Sequence, residues 1–312
     1  MPCALKCHDG HGACTLTFGC VLLFRWWSED TVAVVTGANK GIGFEIARQL
    51  ARQGLRVVLT ARDEGRGKKA LEALNAEGLT NVAFHTLNVG CEESAHILAK
   101  WLFENYGGIN ILVNNAGIFA TGVDADNAEL IMQTNYYGSK QVIKAMLPIL
   151  RSTDCAGPRI LIVASRSGQL KALENNFREK FLDREHITEA YIDNFVNKYL
   201  DEVKSGAWEG GGWPDWTKWG WISPMPTYSV SKIALIAYSS VLHQAFSTQP
   251  AAAGQQKVCI FSYCPGNVKT DMNDHRGKLS VEEGADTGVW LVLQCPKGSS
   301  GKFWAERQEM DF

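Results

Sequence analysis

The sequence carries almost no net charge and no long apolar run. Its 31 Lys and Arg residues nearly balance its 33 Asp and Glu residues, so the formal net charge is −2. This balance excludes the strongly basic surface that binding to nucleic acid or to an anionic membrane requires. The one candidate membrane segment, Ala13–Phe24, is well short of the roughly 20 residues that span a bilayer. We therefore predict neither nucleic-acid nor membrane partners.

The cysteines also lack a recognisable framework. The chain has nine among 312 residues, and an odd number in a chain of this length argues against a disulfide scaffold. Four of them crowd the first twenty residues, namely Cys3, Cys7, Cys14 and Cys20. Their spacing matches no paired Cys-x-x-Cys pattern, so no metal site is predicted. The other five are interpreted as small core residues.

Residues 1–30 are predicted to be an extension outside the folded domain. The apolar run Ala13–Phe24 has the length of a signal-peptide core, which leaves a secretory signal as an alternative. However, Asp9 precedes this run, and Arg25-Trp26-Trp27 is a poor cleavage region. We therefore favour a disordered extension, dispensable through residue 28, on a cytoplasmic protein.

From Thr31 onward, short β-branched runs alternate with helical stretches. The predicted strands are Thr31–Thr36, Arg56–Thr60, Val82–Leu87, Ile109–Val113, Arg159–Ala164, Lys257–Tyr263 and an edge strand at Phe303-Trp304. The predicted helices are Gly41–Gln53, Glu64–Ala76, Glu92–Tyr106, Ala128–Leu150 and Tyr228–Phe246. Apolar strands separated by helices indicate a parallel sheet covered on both faces. The sequence thus predicts an α/β fold, a doubly wound Rossmann sheet, as one domain over residues 31–312.

The alternation stops between residues 166 and 227. An apolar stripe predicts a helix over about 188–204, and several glycines and Pro214 then break the pattern. Five of the ten tryptophans fall between residues 208 and 221. We interpret 166–227 as a helical insertion that ends in a Trp-rich loop.

A glycine-rich turn, T-G-A-N-K-G-I-G, lies between the first strand and the first helix. Strand, turn and helix in this order form a dinucleotide-binding fingerprint, because the helix N-terminus offers free N–H groups to a pyrophosphate. The turn residues predicted to bind the cofactor are Gly37, Asn39, Lys40, Gly41, Ile42 and Gly43.

The end of the second strand indicates which dinucleotide binds. An NAD site usually presents an acidic residue there, but this strand ends in Thr60-Ala61-Arg62. The Arg62 guanidinium suits the 2′-phosphate of NADP, and Lys40 could add a second positive charge. Two solvated surface cations remain the alternative interpretation. Asp63 leaves an ambiguity, because its carboxylate could still reach a ribose hydroxyl.

Two further motifs lie downstream. Asn114-Asn115-Ala116-Gly117 follows the fourth strand, at the sheet edge where ligands bind in such folds. Tyr228 and Lys232 are four residues apart and share one face of a helix. An ammonium beside a phenol favours phenolate and lowers the pKa of the tyrosine, which suits Tyr228 to proton transfer at a carbonyl.

Taken together, these motifs resemble the short-chain dehydrogenase/reductase superfamily. Asn135, Ser165 and Pro265-Gly266 complete the series, and the resemblance covers about residues 31–312. The sequence is most similar to the plant group of menthone, isopiperitenone and salutaridine reductases, which also carries a helical insertion before the catalytic tyrosine.

The resemblance implies roles for the matching residues. Tyr228 would protonate the substrate oxygen, Lys232 would hold the nicotinamide ribose, and Ser165 would bind the substrate carbonyl. Asn135 would order a water molecule next to Lys232. Further cofactor contacts would come from Asn88, Val89, Asn115, Ala116, Gly117, Pro265, Gly266, Val268 and Thr270. The family usually has Asp where this chain has Asn88.

We therefore expect a monomeric, NADPH-dependent carbonyl reductase that acts on a small hydrophobic ketone or aldehyde of terpenoid or alkaloid type. An enzyme that oxidises an alcohol with NAD is disfavoured by Arg62 and Lys40. A non-catalytic dinucleotide-binding redox sensor is the remaining alternative, and it is disfavoured because both Tyr228 and Lys232 are present.

Overall fold

A single sheet organises the part of the chain that the structure, a computed structural model, describes: residues 25–120, 122–153, 155–184, 186–248 and 257–312. Its strands are β1 Val32–Val35, β2 Arg56–Ala61, β3 Val82–Thr86, β4 Ile111–Asn114, β5 Arg159–Val163, β6 Cys259–Tyr263, β7 Phe303–Ala305 and β8 Gln308–Met310. They lie in the order β3-β2-β1-β4-β5-β6-β7-β8, and all neighbours are parallel except β7 and β8. The strand order reverses direction between β1 and β4, which confirms the predicted doubly wound sheet.

Helices cover both faces of this sheet. They are α1 Gly41–Arg52, α2 Glu64–Ala76, α3 Glu92–Tyr106, α4 Ala125–Ile131, α5 Gly138–Met146, α6 Phe177–Leu182, α7 Glu189–Ser205, α8 Pro226–Thr248 and α9 Val281–Gln294. Successive β1 residues alternate between two hydrophobic cores, Val32 and Val34 facing one and Ala33 and Val35 the other. The first core includes α3, α5 and α8, and the second includes α1, α2 and α9. Within the described residues, no helix is long and apolar enough to cross a bilayer.

The predicted long helix at 128–150 is interrupted. A wider π-helical turn, Met132–Tyr137, separates α4 from α5, and a short 3₁₀ turn follows α5. The sequence pattern could not reveal this change, because the apolar spacing continues through the turn. Such π turns often occur at functional sites, and this one contains Asn135.

The carboxyl-terminal elements differ from the prediction at two places. The predicted edge strand exists as β7, but the short β8 pairs with it on the outside. Helix α9 was not predicted, although Ser280 and Glu283 form the reciprocal capping box that marks a helix start.

The segment 166–227 is attached to the sheet by buried polar contacts. Helix α7 confirms the predicted helix, and its Asp193 accepts hydrogen bonds from Tyr136 Oη at 2.8 Å and from Lys140 Nζ at 2.6 Å. At the other end of α7, the Tyr199 and Thr227 hydroxyls are 2.6 Å apart. This segment is therefore packed onto α5 and α8. Its interpretation as an insertion stays a prediction.

Residues 25–30, which were predicted to belong to the extension, contact the domain. Trp26 Nε1 donates to the carbonyl oxygen of Leu293 at 2.6 Å, and the Trp26 ring lies 3.7 Å from the guanidinium carbon of Arg159. Residues 25–27 are therefore packed on the domain, although the sequence places them in the extension. Cys3, Cys7, Cys14, Cys20 and Ala13–Phe24 lie outside the described residues.

These contacts predict that the stability of the domain depends on Trp26. Trp26→Ala should lower the free energy of unfolding by about 1–2 kcal/mol, less than the ~3–5 kcal/mol of a fully buried aromatic residue, because the ring is only partly buried. Thermal unfolding measures this change, with Trp219→Ala as control because Trp219 is 52% exposed. An unchanged midpoint for Trp26→Ala would support the original prediction that residues 1–28 are dispensable.

Candidate active site

The carboxyl ends of four parallel strands bring the predicted site residues to one edge of the sheet. The glycine turn follows β1, Asn115 follows β4, Ser165 follows β5 and Pro265 follows β6. Because these strands are neighbours in the sheet, residues far apart in the chain meet at the point where the strand order reverses.

Hydrogen bonds join the glycine turn to the segment after β4. The Thr36 hydroxyl accepts from the backbone N–H groups of Asn115 and Ala116, both at 2.9 Å. The Asn115 side-chain amide donates to the carbonyl oxygen of Thr36 at 2.8 Å. A Cβ atom on Gly43 would lie 2.3 Å from that amide nitrogen, so only glycine leaves room for it. The Asn115 side chain thus holds the turn in place.

The glycine turn leaves the start of α1 open to an anion. Lys40 precedes the helix, and its side chain does not cap the first backbone N–H groups. Gly41 has a φ of +60°, a left-handed conformation that favours glycine, and a Cβ there would approach the Thr270 methyl group at 3.4 Å. Uncapped N–H groups on a close backbone are suited to a pyrophosphate, so these residues fit the predicted dinucleotide.

Arg62 lies at the end of β2 with its charge unpaired. It is exposed and forms no hydrogen bond or ion pair with the described residues. The neighbouring Asp63 is engaged instead, because its Oδ1 accepts from the backbone N–H of Arg66 at 2.7 Å and caps α2. One Asp63 carboxylate oxygen is therefore engaged in capping α2, and the role of Arg62 toward a 2′-phosphate stays a prediction.

Lys40 has a partner that the sequence did not indicate. Its Nζ lies 2.6 Å from Asp271 Oδ2, and this contact lowers the pKa of the Asp271 carboxyl group. A cavity of about 600 Å³ next to this pair is lined by Asn39, Lys40, Phe44, Arg66, Lys69, Ala70, Ala73 and Asp271. Arg66 and Lys69 are site residues that sequence reasoning missed. Their signal was the cationic face of α2, which the pattern alone assigns to solvent.

Tyr228, Ser165 and Lys232 meet as predicted. The Ser165 side chain interacts with the Tyr228 hydroxyl and acts to lower its pKa. Lys232 is 4% exposed, its Nζ donates to the carbonyl oxygen of Val163 at 3.0 Å, and it lies 5.3 Å from the centroid of the Tyr228 ring. The ammonium therefore lies beside the Tyr228 ring and is held by the backbone of β5.

The protonation of this cluster differs from the sequence-based expectation. Burial raises the pKa of Tyr228 above its ordinary value, and the Cys264 thiol adds to the rise, while the Ser165 hydrogen bond opposes it. Burial also lowers the pKa of Lys232 to about 8. The expected lowering of the tyrosine pKa by Lys232 is thus wrong for the structure as it stands. A phenol that keeps its proton at neutral pH is suited to donate it.

Asn135 lies next to this cluster on the π turn. Its Oδ1 accepts from the backbone N–H of Ile118 at 2.8 Å, and its Nδ2 donates to the Ser231 hydroxyl at 3.1 Å. A Cβ on Gly117 would lie 3.2 Å from Asn135 Oδ1 and 3.8 Å from Lys232 Nζ. Glycine at 117 therefore keeps the space between Asn135 and Lys232 open.

The remaining predicted residues border the same edge. Asn88 is exposed, and its Oδ1 accepts from the backbone N–H of Gly90 at 3.2 Å. The neighbouring Val89 is buried. The segment after β6 carries Pro265, Gly266, Val268 and Thr270. In a capping box, the Thr270 side chain accepts from the backbone N–H of Asn273, and the Asn273 side chain accepts from the backbone N–H of Thr270. Ile42 is partly buried in the first turn of α1.

Two further residues beside Tyr228 were not predicted. The Phe119 ring packs edge-on against the Tyr228 ring, with centroids 5.3 Å apart. Trp216 Nε1 donates to the carbonyl oxygen of Ser167 at 3.0 Å and to the Ser229 hydroxyl at 3.1 Å, which ties the Trp-rich loop to the catalytic segment. The density of tryptophan marked this loop in the sequence, but its position depends on long-range packing.

Comparisons with known proteins identify the family of the chain. (+)-Neomenthol dehydrogenase from Arabidopsis thaliana is 39% identical to this chain, in an alignment that covers 91% of this chain and 100% of the relative. Carbonyl reductase [NADPH] 1 from Bos taurus is 37% identical, over 90% of this chain and 98% of the relative.

A solved structure gives the same result for the fold. Salutaridine reductase from Papaver somniferum superimposes with a TM-score of 0.77 at 34% identity, over 88% of this chain and 99% of that chain. The profile described as short chain dehydrogenase matches residues 31–176. With the glycine turn, the serine, the tyrosine and the lysine on one sheet edge, the chain belongs to the short-chain dehydrogenase family.

Proposed function

We propose that the protein is an NADPH-dependent carbonyl reductase that acts on a small hydrophobic ketone or aldehyde. The observation that carries the proposal is the meeting of Ser165, Tyr228 and Lys232 at the sheet edge beside the dinucleotide turn. It supports a carbonyl oxygen placed between two hydroxyl groups. Ketone-dependent oxidation of NADPH tests the proposal, because a non-catalytic redox sensor would bind NADPH without consuming it.

The chain's own residues divide the work of carbonyl reduction. Tyr228 donates its phenolic proton to the carbonyl oxygen, and the Ser165 hydroxyl holds that oxygen in place. Lys232 binds the nicotinamide ribose, and Asn135 borders the space beneath the ammonium. NADPH, when bound, supplies a hydride. The pKa of Tyr228 is raised by burial, so Tyr228 carries its proton at neutral pH and enters the reaction as the acid.

The cofactor is NADP(H), and Arg62 selects it. An unpaired guanidinium at the end of β2 suits a 2′-phosphate, for which it offers parallel N–H donors. Arg66 and Lys69 add positive charge next to the cavity that Lys40 borders. Carbonyl reductase [NADPH] 1, which covers nearly the whole of the domain, supports the same assignment.

The substrate is hydrophobic, and terpenoid or alkaloid ketones are the class we propose. The Trp-rich loop just ahead of α8 exposes three large apolar side chains. Trp219 is 52% exposed, Trp221 is 38% exposed and Ile222 is fully exposed. Exposed apolar surface next to an active site is typical of a site for an apolar ligand. The dehydrogenase and reductase names of the relatives support this class.

The protein is proposed to be a monomer. Helix α7 covers part of α5, where Lys140 and Lys144 form ion pairs with Asp193 and Glu189 at 2.6 Å. This packing supports the monomer, because it occupies a helix face that many relatives use to dimerise. Light scattering of the purified full chain measures the oligomeric state. The cytoplasmic location stays a prediction.

Replacing Arg62 should change cofactor selectivity. Arg62→Ala should weaken NADPH binding by about 1.5–3 kcal/mol, the usual value of a hydrogen bond to a charged group, and leave NADH binding unchanged. Calorimetric titration with each cofactor measures the difference. Arg52→Ala is the matched control, because Arg52 pairs with Glu77 at the far end of α1. Equal losses for NADPH and NADH would rule out the 2′-phosphate role.

A further inference from the structure

Two cysteines that the proposed reaction does not use lie side by side. Cys259 is the first residue of β6, and Cys295 directly follows α9. Their sulfur atoms are 3.2 Å apart, and both residues carry free thiols. A disulfide bond is about 2.05 Å long, so the sulfur atoms need to approach by only about 1 Å. The pair is thus placed for disulfide formation.

A buried cation without a carboxylate partner lies next to this pair. Arg159 is 4% exposed, and it forms no ion pair with any Asp or Glu among the described residues. One guanidinium nitrogen donates to the carbonyl oxygen of Val292, the Trp26 ring lies 3.7 Å away, and Nε has no hydrogen-bond partner. A buried cation needs a compensating charge. Within the described part of the chain, the charges that act favourably on Arg159 come from Cys295 and Cys259.

The same contacts set the protonation of the two thiols. The pKa of Cys295 falls below its ordinary value, because its sulfur is in hydrogen-bond contact with the Cys259 sulfur, and Arg159 and the Ser299 hydroxyl also stabilise the thiolate. The pKa of Cys259 rises through the same hydrogen bond and through burial. Cys295 ends a helix, where the helix dipole disfavours an anion, so the nearby guanidinium is needed to offset it. These contacts favour a thiolate at Cys295 over a thiolate at Cys259.

We propose that Cys259 and Cys295 form a peroxide-reactive dithiol that closes reversibly to a disulfide. Cys295 is the attacking residue, because Arg159 and the Ser299 hydroxyl both act to stabilise its thiolate, whereas only Arg159 does so for Cys259. Cys259 is the resolving residue, because its protonated sulfur is already in contact. Both side chains are partly exposed, so a small hydroperoxide can reach them.

The chemistry balances in two steps. The Cys295 thiolate attacks one oxygen of hydrogen peroxide, the O–O bond breaks, hydroxide leaves, and the sulfur becomes a sulfenic acid. The Cys259 sulfur then attacks the Cys295 sulfur, and the sulfenic hydroxyl group leaves and takes up the Cys259 proton to form water. The two sulfurs together lose two electrons, and the peroxide gains them. A dithiol reductant reverses the reaction.

The dithiol is remote from the proposed active site. Cys259 begins β6, whereas Pro265 follows the opposite end of the same strand, at the edge that carries Tyr228. Thiol chemistry can therefore be measured without reference to turnover. Failure of the dithiol proposal and failure of the proposed reductase function are distinguishable for this reason.

Peptide mapping after peroxide treatment of the reduced full chain tests the proposal. The parent should give a peptide pair linked through Cys259 and Cys295, which disappears on treatment with dithiothreitol. Cys259→Ser should stop at a Cys295 sulfenic acid that dimedone traps, and Cys295→Ser should give neither product. Cys91→Ser, which changes a partly exposed cysteine on α3, should behave as the parent. A Cys295 that dimedone labels no faster than Cys91, or a disulfide to any other cysteine, would overturn the proposal.

A pH profile separates the role of Arg159 from simple packing. The rate of Cys295 alkylation by iodoacetamide should rise with pH through the thiol pKa, at a lower pH in the parent than in Arg159→Gln. Arg159→Lys keeps the charge and should keep the parent profile. Arg159→Gln with an unchanged profile would contradict the assignment of Arg159 as the counter-ion. If Arg159→Gln fails to fold, the peptide map of the cysteine variants still decides the main proposal.

Discussion

Tyr228→Phe should abolish most of the turnover and leave NADPH binding intact. The change removes one hydroxyl group, which is the proton donor in the proposed reaction and which interacts with the Ser165 side chain. General acid catalysis contributes roughly 10²–10⁴-fold, so turnover should fall by at least the lower value. Steady-state kinetics measure turnover, and fluorescence titration measures NADPH affinity.

The control for this change is Tyr191→Phe. Tyr191 lies on α7, away from the site, where its ring packs against the ring of Phe177. It should tolerate the loss of its hydroxyl. A Tyr228→Phe variant that keeps more than about a tenth of the parent turnover falls outside what the loss of a general acid allows. Another group would then have to donate the proton.

Lys232→Met should weaken NADPH binding and also slow turnover. Methionine roughly preserves the volume of the buried side chain and removes its charge, so the change tests the ammonium without opening a large cavity. Hydrogen bonds to charged groups are worth about 1.5–3 kcal/mol, so NADPH affinity should fall roughly 10- to 100-fold. Lys198→Met is the control, because Lys198 is exposed and pairs with Glu202 at 3.0 Å.

The pH dependence of NADPH binding gives a second readout. Burial lowers the pKa of Lys232 to about 8, so the free protein carries the ammonium below that pH and loses it above. The parent should therefore bind NADPH less tightly as the pH rises through about 8, and Lys232→Met should show no such step. A step that persists unchanged in Lys232→Met would assign it to another group.

Local patterns allowed the sequence to predict the sheet and the central site. The glycine turn follows β1 directly, and Tyr228 and Lys232 share one helix, so short-range spacing is enough to place them. The order of the motifs then predicted that Ser165 would meet Tyr228, because parallel strands collect their carboxyl ends at one edge. The structure brings these residues together.

Contacts between distant segments could not be predicted in the same way. Lys40 and Asp271 are separated by 231 positions, and Trp26 and Leu293 by 267, so each pairing depends on how the whole domain packs. The predicted direction of the Tyr228 pKa shift was wrong for a similar reason. Spacing on a helix shows that an ammonium is near, whereas burial and the Cys264 thiol, which raise the pKa of Tyr228, depend on the packing of distant segments.

The central claim is carbonyl reduction by NADPH, and transfer of an isotope label tests it most directly. NADPH that carries deuterium at the reactive ring carbon is incubated with the full chain and a panel of cyclic terpenoid ketones, and the alcohols are analysed by mass spectrometry. The account predicts an alcohol with deuterium at the carbinol carbon, formed in equal amount to the NADPH consumed. Tyr228→Phe should form much less of this labelled alcohol. Tight NADPH binding without any labelled alcohol from the panel would contradict the account and favour a dinucleotide-binding sensor.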